Sequence, residues 1–186
     1  MKRYEIEIKL PVNNLNQVKE QLLGKGFQEE ATVRECDMYY NSVYHDVKQR
    51  GEALRIRKST NLVTGQSQAQ INFKGKKIDS ISMSRQEYET LVENPEAMEE
   101  ILIALDFRPV SGVQKTRCCL KRGKMTVCLD QVNDLGDFLE LEMIASEKAM
   151  GEEYLKIMEG LLTELGLSMK DTVRTSYLSM LAGERD

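Results

Sequence analysis

Hydrophobic and polar residues alternate along much of this chain, and most alternating segments end at residues that favour turns. In RYEIEIKL, residues 3–10, apolar and charged side chains take turns from Tyr4 onwards. A period of two is typical of β-strands with two different faces. It predicts strands at 3–10, 31–41, 52–59, 68–76, 81–92, 107–121, 124–132 and 137–145. A tight hairpin at Arg122–Gly123 should join two of these strands, because glycine suits such a turn.

Elsewhere, apolar residues recur every three or four positions, which predicts helices. One helix is expected from a cap at Asn13 or Asn14 to Gly24, and a short one opens at Pro95. Two more are predicted at 147–165 and 171–182. The strands lack a β-α-β rhythm, so we expect an α+β fold with mostly antiparallel pairing. Eight strands can close into a barrel, which removes their edges. At 186 residues, the chain should form one domain over 1–186.

The polar faces of these strands are rich in charge. Successive strand residues point to opposite faces, so Glu5, Glu7 and Lys9 share one face. A solvated sheet face would also explain this alternation, but such a face commonly carries Ser, Thr and Gln as well. A barrel with its charged face inward fits equally well. The cations of such a lumen would be Lys9, Arg55, Arg57, Lys74, Arg85, Lys115 and Arg117, and its carboxylates Glu5, Glu7, Asp130, Glu140 and Glu142.

This combination of charges indicates a metal-bound polyphosphate as ligand. Arginine forks match phosphate oxygens, and grouped carboxylates suit Mg²⁺ or Mn²⁺. The chain has no GxxxxGK[ST] loop and no kinase motifs, which argues against the common nucleotide-binding folds. His45 is the only histidine, and the four cysteines lack CxxC spacing, so zinc sites are not expected. Buried, reduced thiols are the simplest interpretation of the cysteines.

Overall charge and hydropathy restrict which classes of binding partner and which cellular location we expect. With 26 basic and 30 acidic residues, the net charge of −4 argues against nucleic-acid binding through a broad basic surface. No apolar run approaches the roughly 18 residues of a membrane span, and MKRYEIEIKL lacks a signal-peptide core. We therefore expect a cytoplasmic protein with a small-molecule substrate and no membrane partner. The oligomeric state is open, and a homodimer is one option.

A series of motifs resembles the CYTH superfamily, the triphosphate tunnel metalloenzymes. The segment EIEIK at 5–9 is similar to the ExExK signature, and RGEALRIR at 50–57 to the family's RGxxLRIR strand. The remaining matches follow in family order: FKG at 73–75, SRQEYE at 84–89, KTR at 115–117, LDQVNDLGDFLELE at 129–142 and RTSYLSML at 174–181. The resemblance therefore spans nearly the whole chain.

The resemblance implies an eight-stranded antiparallel tunnel that binds a triphosphate with Mg²⁺ or Mn²⁺. Activities of the superfamily include class IV adenylate cyclase, thiamine triphosphatase and inorganic triphosphatase. EIEIK with LGDFLELE looks most like the cyclase branch, although the HF dipeptide that precedes ExExK in some bacterial cyclases is missing. Arg85 stands where some triphosphatases have lysine, and an arginine is a poor general base. A triphosphatase and a non-catalytic phosphate-binding module are the alternatives.

The resemblance also assigns roles to residues. It implies Glu5, Glu7, Glu140 and Glu142 as metal ligands, with Asp130 beside them. The cations that would hold the triphosphate are Lys9, Arg55, Arg57, Lys74, Arg85, Lys115 and Arg117. Catalytic roles are expected for Arg55, Lys115, Arg117 and Asp130. Adenine recognition is not evident, and Asp37, Tyr39 and Tyr40 are candidates for it. Ordinary strand packing is the alternative for the two tyrosines.

Overall fold

Eight strands and four α-helices make up the architecture of the computed structural model, which describes residues 4–77, 84–147 and 150–184. The strands are β1 (Tyr4–Pro11), β2 (Gln28–Asn41), β3 (Ala53–Asn61), β4 (Ser67–Lys77), β5 (Arg85–Val92), β6 (Arg108–Arg122), β7 (Met125–Val132) and β8 (Gly136–Ala145). The helices are α1 (Leu15–Gly24), α2 (Pro95–Ala104), α3 (Gly151–Glu164) and α4 (Tyr177–Leu181), with a 3₁₀ turn at Met169–Asp171.

The strands form a closed barrel in the order β1-β5-β4-β3-β2-β6-β7-β8. Every neighbouring pair is antiparallel, as the sequence predicted. β1 and β8 pair along their whole length, from Tyr4 opposite Ala145 to Pro11 opposite Phe138. Within the described residues, the other side of β1 pairs with β5 at Tyr4 and Glu5. This pairing closes the barrel and removes the strand edges.

The alternation of side chains turns the apolar face of the barrel outward, under the helices. In β1, Ile6, Ile8 and Leu10 are buried in a cluster that includes Leu22 of α1 and Leu162 of α3. A second cluster lies under α2, where Leu102 packs with Leu54 and Ile56 of β3. Burying each such side chain contributes roughly 1.5–3 kcal/mol. Since helices cover the outer face, the charged face of each strand points into the lumen.

Local signals in the sequence explain where several elements begin and turn. The side chain of Asn14 accepts a hydrogen bond from the backbone N–H of Gln17 and caps α1. Asn94 caps α2 in the same way, with Pro95 at the first helical position. The β6–β7 hairpin turns at Gly123, whose φ of 60° favours glycine, and Arg122 pairs with Met125. The predicted hairpin is confirmed.

The predicted helix at 171–182 is wrong over its first half. The 3₁₀ turn ends at Asp171, and the chain is then irregular up to Ser176. The reason is tertiary, since the backbone N–H of Val173 donates to the carbonyl of Lys9 in β1 at 2.7 Å. Ser176 then starts α4, because its side chain accepts from the N–H of Ser179.

Other strands and helices begin a few residues away from their predicted starts. β2 begins at Gln28, three residues before the predicted start, because Gln28 pairs with Lys121 of β6. The beginning of the predicted strand 81–92 lies partly outside the described residues, and β5 starts at Arg85. The predicted helix 147–165 includes two residues that are not described, and α3 begins at Gly151. In the described part of the chain, no helix has the length and apolar character needed to cross a membrane.

Candidate active site

The lumen of the barrel is a cavity of about 1140 Å³ lined by charged side chains from most of the strands. The cavity wall contains nearly every site residue expected from the sequence. Those residues are Glu5, Glu7, Lys9, Arg55, Arg57, Lys74, Arg85, Lys115, Arg117, Glu140 and Glu142. Asp130 is the exception, because it is fully buried behind the wall and reaches the lumen through its partners.

Three carboxylates form an acidic group where β1 meets β8. Glu5, Glu7 and Glu142 each offer one oxygen, and these oxygens all lie within 4.8 Å of one another. Antiparallel register creates the group, since Glu7 lies directly opposite Glu142. An all-oxygen set of ligands fits a hard divalent cation such as Mg²⁺ or Mn²⁺. The donor chemistry therefore agrees with the expected metal.

The pKa values of the three carboxyls are consistent with a cation-binding site. Burial and the neighbouring Glu5 hold the pKa of Glu142 well above its usual range. Burial also raises the pKa of Glu7, against the pull of Lys74. Glu5 differs, because burial would raise its pKa, but the Lys74 ammonium, with Nζ 2.6 Å from its Oε2, acts together with Glu87 and Arg55 and lowers the pKa to about 2. One lysine thus compensates part of a crowded set of negative charges.

Asp130 and Glu140 lie outside this acidic group, and both pair with Arg117. Arg117 donates to both oxygens of Asp130, from Nε at 2.7 Å and from Nη2 at 2.6 Å. Lys115 Nζ donates to Asp130 Oδ2 at 2.8 Å, and Arg117 Nη2 also contacts Glu140 Oε2. Burial would raise the pKa of both carboxyls, but Arg117 and Lys115 hold them low. Asp130 therefore holds both cations in place, and Glu140 holds Arg117.

A second paired cluster joins β2 and β3. Arg57 grips both oxygens of Asp37, with Nε at 2.6 Å and Nη2 at 2.8 Å, and Arg55 Nη1 reaches Asp37 Oδ2 at 3.1 Å. Glu35 Oε2 lies 3.0 Å from Arg57 Nη1. From the sequence, Asp37 is a candidate only for adenine recognition, and Glu35 is not among the expected site residues. The signal was present, because the two residues alternate in ECDMYY on the inward face of β2.

The two candidate tyrosines have different environments. The hydroxyl of Tyr39 accepts a hydrogen bond from Arg55 Nη1 at 3.3 Å, so it faces the charged lumen. Tyr40 is buried in the cluster of Leu54 and Leu102. This environment agrees with ordinary strand packing, the alternative to adenine recognition. Burial, together with Glu99, raises the pKa of Tyr40 to about 12. Alternation along β2 separates these neighbours.

Further polar residues of the lumen come from β4 and β5. The side-chain amide of Asn72 donates to Glu87 at 3.2 Å and to Glu89 at 3.1 Å. Burial, with Glu5 nearby, raises the pKa of Glu87 to about 7. These carboxylates are not among the site residues expected from the sequence. SRQEYE contains the signal, since Glu87 and Glu89 alternate with Arg85.

One end of the lumen is closed by α4. Tyr177, at the start of this helix, packs with Val113, Val132 and Phe138 in a small apolar cluster. Its hydroxyl donates to Asp130 Oδ2 at 3.0 Å. No periodic signal in the sequence distinguishes Tyr177 from an ordinary helix residue. The closed barrel thus has an acidic group opposite a wall of guanidinium and ammonium groups, which is the arrangement of charge that an anionic ligand with a divalent cation would require.

Comparison with known proteins agrees with this class. The CYTH domain model matches residues 3–177, so the chain belongs to the CYTH family. It is 34% identical over 176 residues to "Putative adenylate cyclase MJ0240" of Methanocaldococcus jannaschii, covering 95% of this chain and 97% of that one. It is 27% identical over 147 residues to "Adenylate cyclase CyaB" of Aeromonas hydrophila, covering 79% and 72%.

Solved structures share the barrel. The PH1819 protein of Pyrococcus horikoshii OT3 superposes with a TM-score of 0.87 at 32% identity, over 97% of this chain and 99% of that one. A putative adenylyl cyclase of Hippeastrum, HpAC1, superposes with a TM-score of 0.69 at 18% identity, over 99% and 97%. The expected CYTH fold, an eight-stranded antiparallel barrel flanked by helices, is confirmed.

Proposed function

We propose that this protein is a metal-dependent enzyme that acts on triphosphates, with the conversion of ATP to cyclic AMP and pyrophosphate as its reaction. One observation carries the proposal. The acidic group of Glu5, Glu7 and Glu142 shares a single lumen with the basic wall that includes Arg55 and Arg57. A metal–triphosphate complex needs both kinds of charge in the same place.

The acidic group would hold Mg²⁺ or Mn²⁺. Bound there, the ion would neutralise phosphate charge and polarise the phosphorus–oxygen bonds. Asp130 was a candidate for both metal binding and catalysis. Its two oxygens already accept from Lys115, Arg117 and Tyr177, so we assign it the role of positioning these groups. Glu140 contacts Arg117 and would act similarly.

The cations of the wall would bind the phosphates and stabilise charge as it develops in the transition state. Arg55 and Arg57 lie two residues apart on one strand face, roughly 6.5–7 Å along the chain. Among the described residues, Nε of Arg55 is a buried donor without a hydrogen-bond partner. A buried donor left unpaired costs about 1–3 kcal/mol, and a phosphate oxygen would relieve that cost. The further phosphate contacts we propose are Lys9, Lys74, Arg85, Lys115 and Arg117.

The cyclase reaction and triphosphate hydrolysis differ in which phosphorus meets the nucleophile. In a cyclase, the ribose 3′-hydroxyl attacks the α-phosphorus, the bond to the β-phosphate oxygen breaks, and pyrophosphate leaves. Two observations favour the cyclase. The cavity of about 1140 Å³ has room for an organic group beside the phosphates, since sites for drug-sized ligands measure roughly 300–1,000 Å³. Both curated relatives also carry cyclase names.

A triphosphatase is the second candidate, because the same clamp could present the terminal phosphorus to water. The Hippeastrum protein is described as a putative adenylyl cyclase with a dominant triphosphatase activity, although at 18% identity it shares only the fold with this chain. The deciding difference is therefore the product formed by this chain.

Product analysis tests the proposal. The purified protein is incubated with ATP, and separately with tripolyphosphate, in the presence of Mg²⁺ or Mn²⁺ and again with excess chelator. Cyclic AMP and pyrophosphate from ATP, lost in chelator, would support the cyclase. Inorganic phosphate without cyclic AMP would replace it with the triphosphatase. No product from either compound would contradict an enzymatic role. The Glu142→Gln variant is the matched control for contaminating activity.

A further inference from the structure

Tyr177 contacts two cations of the lumen and the buried carboxylate of Asp130, although it belongs to the short helix at one end of the lumen. Its ring centroid lies 4.2 Å from Lys9 Nζ and 5.1 Å from Lys115 Nζ. Its hydroxyl donates to Asp130 at 3.0 Å. The residue is 8% exposed, so these contacts are almost fully shielded from water. One side chain therefore meets two cations and the carboxylate that holds one of them.

The two ammonium groups depend on this ring in different degrees. Lys115 has carboxylate partners, Asp130 at 2.8 Å and Glu35 at 3.5 Å. Lys9 is 1% exposed and donates to the backbone carbonyl of Thr175 at 2.7 Å. The segment that contains Thr175 and Tyr177 thus surrounds the Lys9 ammonium with a carbonyl oxygen and an aromatic face. An aromatic face attracts a cation most strongly where water is excluded.

The ring itself is held firmly. Phe138 of β8 packs against it edge to face, with ring centroids 5.0 Å apart and an interplanar angle of 66°. Val113 and Val132 complete the apolar side of the pocket. The hydrogen bond from its hydroxyl to Asp130 also restrains the orientation of the ring. The ring is therefore a rigid surface against which flexible lysine side chains can settle.

We propose that Tyr177 is a positioning residue for phosphate binding, whose ring holds the ammonium groups of Lys9 and Lys115 in the lumen. The inference rests on the function proposed above, because it assigns these lysines to the triphosphate. Lysine has four rotatable side-chain bonds, and ordering it costs conformational entropy. A preformed aromatic contact removes much of that cost before the ligand arrives. The C-terminal helix thereby contributes to affinity without touching the phosphate.

The test separates the ring from the hydroxyl and from stability. Tyr177→Phe keeps the ring, and Tyr177→Leu removes it. Tyr154→Leu is the matched control, because Tyr154 is 4% exposed in α3 and packs in the separate cluster under α1 and α3. Affinity is measured calorimetrically with Mg²⁺ and diimidotriphosphate, a hydrolysis-resistant triphosphate. Melting temperatures of all variants are recorded in parallel.

We expect Tyr177→Phe to bind within threefold of the wild type and Tyr177→Leu to bind at least fivefold more weakly than Tyr177→Phe. Tyr154→Leu should lose stability but keep wild-type affinity. Equal affinities of the Phe and Leu variants would overturn the inference, and so would an equal loss in Tyr154→Leu. A wild type that does not bind the probe would instead contradict the proposed function.

A double-mutant cycle covers the case in which Tyr177→Leu disturbs the C-terminal segment. If the ring acts partly through Lys9, Tyr177→Leu should weaken affinity less in a Lys9→Met background, where only the contact with Lys115 remains to be lost, than in the wild type. Additive losses would show that the ring acts independently of Lys9 and would overturn the proposed route. The readout is the ratio of affinities, which a general loss of stability does not change.

Discussion

Neutralising Glu142 should distinguish a role of this residue in metal binding from a role in the stability of the fold. Glu142→Gln keeps the shape of the side chain and removes one charge. Its carboxylate oxygen lies within 4.8 Å of those of Glu5 and Glu7. At an effective dielectric constant of about 20, the repulsion between two ionised carboxylates at that distance costs about 3.5 kcal/mol. Arg117 Nη1, 3.5 Å from Glu142 Oε1, offsets part of it.

The substitution should therefore leave the metal-free protein as stable as the wild type or stabilise it by about 2 kcal/mol. Metal binding should change in the opposite direction. At a metal concentration of about 100 Kd, binding to the native state adds about 2.7 kcal/mol. For a chain of this size, that corresponds to roughly 5–11 °C in melting temperature. A tenfold weaker Kd at the same concentration would halve the stabilisation.

The assay is scanning calorimetry with chelator, with Mg²⁺ and with Mn²⁺. The matched control is Glu89→Gln, which changes a lumen carboxylate outside the acidic group. We expect the wild type and Glu89→Gln to share one metal-induced shift and Glu142→Gln to lose at least half of it. An undiminished shift in Glu142→Gln would remove this residue from the metal site. A large fall in its metal-free melting temperature would show a structural role instead.

Three further results are expected. Arg57→Lys keeps the charge but loses the planar guanidinium that now binds Asp37. Its affinity for diimidotriphosphate with Mg²⁺ should fall about tenfold, measured by calorimetry. A change within twofold, as expected for the exposed control Arg50→Lys, would contradict phosphate binding by Arg57. The pKa of Glu87 is raised to about 7, so its protonation supports the fold below about pH 4.5 and this support disappears as the pH rises through 7. In chelator, the unfolding free energy of the wild type minus that of Glu87→Gln should fall by roughly 3 kcal/mol across that window, and a flat difference would contradict the raised pKa. Turnover should vanish in chelator and return with Mg²⁺ or Mn²⁺, whereas turnover that persists in excess chelator would refute metal dependence.

The strand pattern could be predicted from the sequence because side-chain alternation is a local property. Glu5, Glu7 and Lys9 had to share a face once 3–10 was a strand, and the cover of the opposite face by helices decided which face was inside. The same reasoning extends to Glu35 and Glu87, whose inward positions follow from their neighbours. In the structure both carboxylates pair with expected cations, Glu35 with Arg57 and Glu87 with Lys74.

The grouping of carboxylates could not be predicted, because it depends on register between strands far apart in the chain. Glu140 and Glu142 are equivalent in FLELE. In the barrel, Glu142 lies opposite Glu7 and joins the acidic group, whereas Glu140 lies opposite Lys9. Tyr177 is a similar case. Its place in the lumen follows from how Val173 joins β1, which no local pattern records.

The most direct test of the account is to locate the metal and the triphosphate together. Crystals grown with Mn²⁺ and diimidotriphosphate, measured at the manganese absorption edge, would show the ion by its anomalous signal. The account predicts a manganese peak at carboxylate-ligand distance from Glu5, Glu7 and Glu142, with the triphosphate along the wall of Arg55, Arg57 and their neighbouring cations. A manganese ion outside the lumen, or a triphosphate bound on the outer surface of the barrel, would contradict it.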